Sequence, residues 1–284
     1  MNNILFKKLH ECEAIEALVL GGSRATGCFD INSDYDYYVY LKKQLSEKER
    51  EVLLNEFMCY MEYSNQFWEL EDDGILKNGI DIEFIYRTVE EIEEMMDNLL
   101  VKGYTKHGYS TCFVDNLLKS KIIFDKQNRI ALMRDKYSKL LTEDFYDKII
   151  YSNFPLIMDK MPSLYYQVEK AILRNDLLSL NHRTTEYFAI YFDILFAVNR
   201  KTHPGEKRML EMALELRNKP KGMKEDIQLY FEHLFVEKDK SLKLLEKISN
   251  ELYKLLIDQG YNLKIHSYKE KRWNVGVFYI LTIF

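Results

Sequence analysis

The stretch Gly21-Gly22-Ser23-Arg24-Ala25-Thr26-Gly27, followed by Ser33-Asp34-Tyr35-Asp36, decides how the front of this chain is read. Just before it, Ala17-Leu18-Val19-Leu20 is a short apolar run of the kind a buried strand needs, stopped by two glycines. Glycine lets the backbone turn tightly and approach a ligand closely, so that N–H groups face an anion such as phosphate. Arg24 could add positive charge there. Asp34 stands eleven residues after Ser23 and Asp36 two further on; at strand spacing both project from one face. Farther along, Ile80-Asp81-Ile82-Glu83-Phe84-Ile85-Tyr86 alternates apolar and acidic residues, which places Asp81 and Glu83 on one face of another strand. Three carboxylates converging beside a phosphate cradle make a hard-oxygen site for Mg²⁺. One or two such ions would activate an attacking oxygen and neutralise charge at the phosphate being displaced.

Around this stretch the pattern is mixed. Residues 2–15 read as a short amphipathic helix, and Tyr37 to Leu41 as a strand rich in β-formers. Ser46-Glu47-Lys48-Glu49 has the capping-box pattern and opens a helix; Thr88-Val89-Glu90-Glu91 opens another. Residues 117–125 fit a helix end or a further strand. From about residue 132 the signal is helical. Leu242, Leu245, Ile248, Leu252 and Leu255 form one stripe of a surface helix, and residues 184–200 are apolar nearly all round, as in the centre of a bundle. The expected fold class is α+β: a small mixed-sheet domain over 1–135, then an all-helical bundle over 136–284. Trp273 to Phe284 reads as strand-like.

Composition narrows the function. With 40 Lys plus Arg against 45 Asp plus Glu, the net charge of −5 disfavours a general polynucleotide binder, which needs a basic footprint. A hydrophobic fraction of 47% suits a globule. Gly 11 and Pro 4 are few for 284 residues, which favours long helices. The cysteines, Cys12, Cys28, Cys59 and Cys112, form no CxxC pair, and the six histidines form no HxxxH or HExxH pattern, so no zinc site is expected. No apolar leader follows Lys7 and Lys8, and the longest apolar run, Tyr187 to Val198, contains Asp193 and is too short for a bilayer. The expected location is the cytoplasm, with no membrane association.

GGSRATG followed by SDYD resembles the signature of the polymerase-β nucleotidyltransferase superfamily, which includes bacterial enzymes that adenylylate aminoglycosides and lincosamides. The resemblance covers roughly residues 15–90. Two later stretches, Tyr187 to Arg200 with His203-Pro204-Gly205-Glu206-Lys207-Arg208, and Gly108-Tyr109-Ser110-Thr111-Cys112, are similar to a bacterial branch in which the catalytic domain is fused to a helical domain. The resemblance implies that Gly22 and Ser23 hold a nucleotide triphosphate, with Arg24 beside them. It implies that Asp34 and Asp36 ligate Mg²⁺, and that a third carboxylate helps deprotonate the acceptor hydroxyl. Asp81, flanked by Ile80 and Ile82, fits that third place best; Glu83 is the alternative. The implied reaction is attack of an acceptor oxygen on the α-phosphate of ATP or another NTP, with pyrophosphate leaving. The acceptor implied is a small molecule such as an antibiotic; the other readings are transfer to a protein or a tRNA end, and a nucleotide-sensing module without catalysis.

Further candidates lie in the helical half. Lys207 could bring a cation to the triphosphate, as basic residues of the helical domain do in similar adenylyltransferases. Asp193 in its apolar helix must find a partner, Arg200 or Lys207, or else serve acceptor binding or proton transfer. Glu186 is a weaker candidate, and His203 before Pro204 reads as a turn residue.

Overall fold

The computed structural model describes residues 2–67 and 69–265. The chain divides into two compact units, residues 1–104 with 113–141, and residues 105–112 with those from 142 onward.

The first unit carries α1 (Asn2–Glu11), β1 (Ile15–Leu20), α2 (Gly22–Thr26), β2 (Tyr35–Leu41), α3 (Glu47–Leu54), β3 (Met58–Asn65), β4 (Leu70–Leu76), β5 (Asp81–Arg87), α4 (Val89–Met96), α5 (Cys112–Lys119), β6 (Lys121–Asp125) and α6 (Arg129–Ser138). The strands form one six-stranded sheet in the order β3-β4-β5-β2-β1-β6. The β2–β5 pair is parallel and the other pairs are antiparallel. All six residues of β1 are buried, because apolar clusters cover both faces of the sheet. One cluster holds Leu18, Tyr37, Val39, Ile82 and Phe84 under α1 and α3. The other holds Ala17, Val19 and Tyr40 against α4, α5 and α6.

The expected capping box is present at Ser46 with Glu49, and the helix expected after Thr88 opens with one too, Thr88 with Glu91. Residues 117–125 hold both expected alternatives, the end of α5 and then β6. The β3–β4 hairpin was not anticipated. Its outer face is polar, and Glu71, Asp72, Asp73 and Gly74 are poor strand formers. What holds it is on the inner face. Arg50 of α3, 3% exposed, forms a two-pronged pair with Asp72 of β4, 0% exposed, at 2.7 and 3.1 Å. The Tyr86 hydroxyl and the Ser64 N–H also donate to Asp72, at 2.8 and 2.9 Å. A buried charge is tolerated only when its hydrogen-bonding sites are filled in this way.

The second unit is helical: α7 (Glu143–Phe154), α8 (Leu164–Leu173), α9 (Leu177–Val198), α10 (Met209–Leu214), α11 (Met223–His233) and α12 (Lys238–Asp258). Residues 187–198 of α9 are buried without a break, as expected for a central helix. The first unit extends to Leu141, because Ile130, Met133 and Tyr137 of α6 pack in the sheet's second cluster. Residues 105–112 belong to the second unit because they lie along α9. A Cβ on Gly108 would come within 2.9 Å of the Ala189 Cβ, and one helical turn on Ser110 bonds to Asp193. The strand-like reading of Trp273 to Phe284 falls outside the described residues. Among those residues, no helix is long and apolar enough to cross a membrane. No disulfide joins the four cysteines, all of which lie among the described residues.

Candidate active site

Strand register brings the turn and the carboxylates together. β1 and β2 pair antiparallel with Leu20 opposite Tyr37, so the chain just after β1 meets the chain at the start of β2. The Gly21 N–H donates to the Asp36 carbonyl at 2.8 Å. Gly22 then sits directly under the Asp36 side chain: a Cβ there would lie 1.8 Å from Asp36 Oδ2. Its φ of +61° also lies in the left-handed region, so two independent constraints require glycine. Gly22 opens α2, and as at any helix start its first N–H groups have no acceptor within the helix. Gly21 has its own reason to be glycine, since a Cβ would strike the Tyr38 ring at 2.4 Å. Asn116 of α5 donates to the Tyr38 hydroxyl at 3.0 Å and fixes that ring from behind.

The parallel β2–β5 pair sets Asp36 opposite Glu83. Among the described residues, Asp34, Asp36 and Glu83 form a group in which one carboxylate oxygen from each lies within 4.8 Å of the others. All three are half-buried. Burial pushes the Glu83 carboxyl up to about 7, helped by the negative charges of Asp36, Asp34, Asp73 and Glu71. Three carboxylates of this spacing suit a hard divalent cation such as Mg²⁺, whose charge would relieve their mutual repulsion. Of the two acids expected on β5, Glu83, the alternative, is the one that lies with Asp34 and Asp36. Asp81 is exposed at the start of β5 and pairs in register with Ile75, one strand repeat away from Glu83. The sequence placed both acids on one face; only the parallel register selects between them.

The remaining expected residues are placed as follows. Ser23 is half-buried on α2, and its carbonyl accepts from the Cys28 N–H at 3.0 Å. Arg24 turns toward the backbone of Ser33 and Asp34. Lys207 is exposed on the second unit. Asp193 is 2% exposed and accepts from the Ser110 N–H at 3.1 Å, the Ser110 hydroxyl at 2.8 Å and the Asn153 amide at 2.7 Å. Burial raises its pKa to about 6 against the pull of these bonds. Its partners are neutral donors, not Arg200 or Lys207. Arg200 instead pairs with Glu143 and Asp147. Asp193 therefore fastens residues 105–112 to α9. Glu186 pairs with Arg183 at 2.7 Å. His203, fully buried between the rings of Tyr109 and Phe196, accepts from the Gly205 N–H at Nδ1, the turn role its sequence suggested.

No family model matches the chain, and no curated protein matches it. Several solved structures are similar, three of them as follows. A nucleotidyltransferase-like protein from Exiguobacterium sibiricum is 9% identical, covering 91% of this chain and 73% of that one, with a TM-score of 0.41. An aminoglycoside 6-adenyltransferase from Bacillus subtilis is 14% identical over 96% of both chains, with a TM-score of 0.28. A CCA-adding enzyme from Thermotoga maritima, in complex with tRNA, is 11% identical over 95% of this chain and 85% of that one, with a TM-score of 0.27.

Proposed function

We propose that this chain is a Mg²⁺-dependent nucleotidyltransferase that moves an adenylyl group from ATP to a hydroxyl of a small cationic molecule. The observation that carries this reading is the convergence of Asp34, Asp36 and Glu83 on the Gly22 turn. The backbone N–H groups at the start of α2 receive phosphate oxygens of the nucleotide. Asp34 and Asp36 hold the divalent cation, with Glu83 completing the set. When bound, that cation supplies charge neutralisation at the phosphate under attack. The acceptor oxygen bonds to the α-phosphorus, the bond to pyrophosphate breaks, and the hydroxyl proton passes to a carboxylate. Positioning supplies most of the rest.

The cationic character of the acceptor is supported by the further acids beside Glu83. Asp73 of β4 stands opposite Glu83 in register, and Glu71 raises the Glu83 carboxyl further. A group of this kind concentrates cations and repels a phosphate backbone, which favours an aminosugar-like small molecule over a tRNA end. Intact carboxylates speak against a purely sensing module. Lys207 has no part in this proposal.

The test is incubation with each labelled NTP, Mg²⁺ and a panel of neutral and cationic hydroxyl compounds, with pyrophosphate release as readout. Turnover with cationic acceptors supports the reading. Release that ignores both Mg²⁺ and acceptor contradicts it.

A further inference from the structure

Arg24 sits where a phosphate-binding cation is expected, yet its guanidinium is engaged elsewhere. Nε donates to the Ser33 carbonyl at 3.0 Å and the Asp34 carbonyl at 2.8 Å, and Nη2 donates to the Ser33 carbonyl at 2.6 Å. The group also lies against two rings, 4.1 Å from the centre of Tyr35 and 5.2 Å from that of Phe29. The two carbonyls belong to the peptide units on either side of the Asp34 Cα. Fixing both planes fixes the direction of the Asp34 Cα–Cβ bond, and with it the point from which the carboxylate projects. The segment that needs this control is exposed: Ile31 is 94% exposed. It is otherwise held by short local bonds, the Asn32 N–H to Asp30 Oδ1 and the Asp30 N–H to Ser33 Oγ, both at 2.9 Å. Ordering such a segment costs conformational entropy at every residue.

We infer that Arg24 is a positioning residue for Asp34: it ties the Gly22–Ser23 turn to the metal-ligating strand start, and it is not a triphosphate ligand. This rests on reading Asp34, Asp36 and Glu83 as a divalent-cation site. The guanidinium shape matters as much as its charge. A lysine keeps the charge but has no planar fork to span two carbonyls and no flat face for Tyr35.

The test titrates Mn²⁺ into the full-length, metal-stripped protein and follows free Mn²⁺ by electron paramagnetic resonance. Wild type, Arg24→Lys and Tyr35→Leu are compared. Tyr35→Leu removes the stacking ring and leaves every carbonyl and charge in place. Arg24→Lys is expected to weaken Mn²⁺ binding about tenfold, and Tyr35→Leu about threefold in the same sense. Excess metal should restore turnover of Arg24→Lys with its KM for the nucleotide unchanged. Wild-type Mn²⁺ affinity in Arg24→Lys, whether or not the nucleotide KM rises, overturns the inference. A rise in nucleotide KM that excess metal does not correct also overturns it, by pointing to a phosphate contact. If wild type itself binds no Mn²⁺, it is the metal-site reading that fails.

Discussion

Asp72 and Asp73 are neighbours on β4 and have opposite surroundings. Asp72 points into the core, where Arg50, Tyr86 and Ser64 fill its oxygens and its charge is neutralised. Asp73 points to the other face, accepts from the Asn65 amide, and stands opposite Glu83. There burial, together with the charges of Asp36, Asp34, Asp73 and Glu71, raises the proton affinity of Glu83. Strand alternation alone separates the two fates. A carboxylate supplied with donors becomes structural, and a group of carboxylates facing one another becomes a place for a cation. Asp193 shows the first outcome again, this time on a helix and with neutral donors.

Substitutions on the two faces should therefore fail differently. Asp36→Asn should keep the thermal midpoint and lower nucleotide transfer by roughly a thousandfold, because one charge is lost from the cation site. A steady-state assay beside a melting curve checks both halves. Gly22→Ala should lose transfer on a similar scale, since its Cβ would displace the Asp36 carboxylate. On the core face, Arg50→Met leaves Asp72 buried and unpaired. It should cost about 3–5 kcal/mol in a urea titration. Asp193→Ala strands the Ser110 and Asn153 donors and should cost about 2–3 kcal/mol, with any activity lost in proportion to folded protein. If Asp193→Ala abolished transfer at full stability, the division drawn here would be wrong.

The smallest effect is one of pH. The Glu83 carboxyl is raised from 4.5 to about 7, so the folded metal-free protein holds that proton more tightly than the unfolded chain does. Its contribution to stability is fully present below pH about 4.5 and is lost as pH rises through about 7. Glu83→Gln should therefore melt slightly above wild type at pH 8 in EDTA and level with it at pH 4. Added Mg²⁺ should narrow the gap at pH 8 by stabilising wild type more than the variant.

The turn and the first two carboxylates were legible because one antiparallel strand pair carries them all. Glu83 was not separable from Asp81. The choice depends on a parallel register between strands joined by a whole hairpin, and no local pattern encodes that register. The hairpin was hidden by acids and glycine on β4, whose pairing is held by Arg50 from a different element. Arg24 was legible as a cation near the turn, but its use on backbone carbonyls follows from the path of the loop. The partner of Asp193 lies 83 residues upstream in sequence, and nothing near Asp193 pointed to Ser110.

The central claim is that Asp34, Asp36 and Glu83, and not Asp81, form one divalent-cation site. Calorimetric titration of Mn²⁺ into metal-free wild type, Glu83→Gln and Asp81→Asn tests it most directly. Glu83→Gln should bind at least about tenfold more weakly than wild type, and Asp81→Asn within about twofold of it. Loss of binding in Asp81→Asn with wild-type affinity in Glu83→Gln would contradict the account.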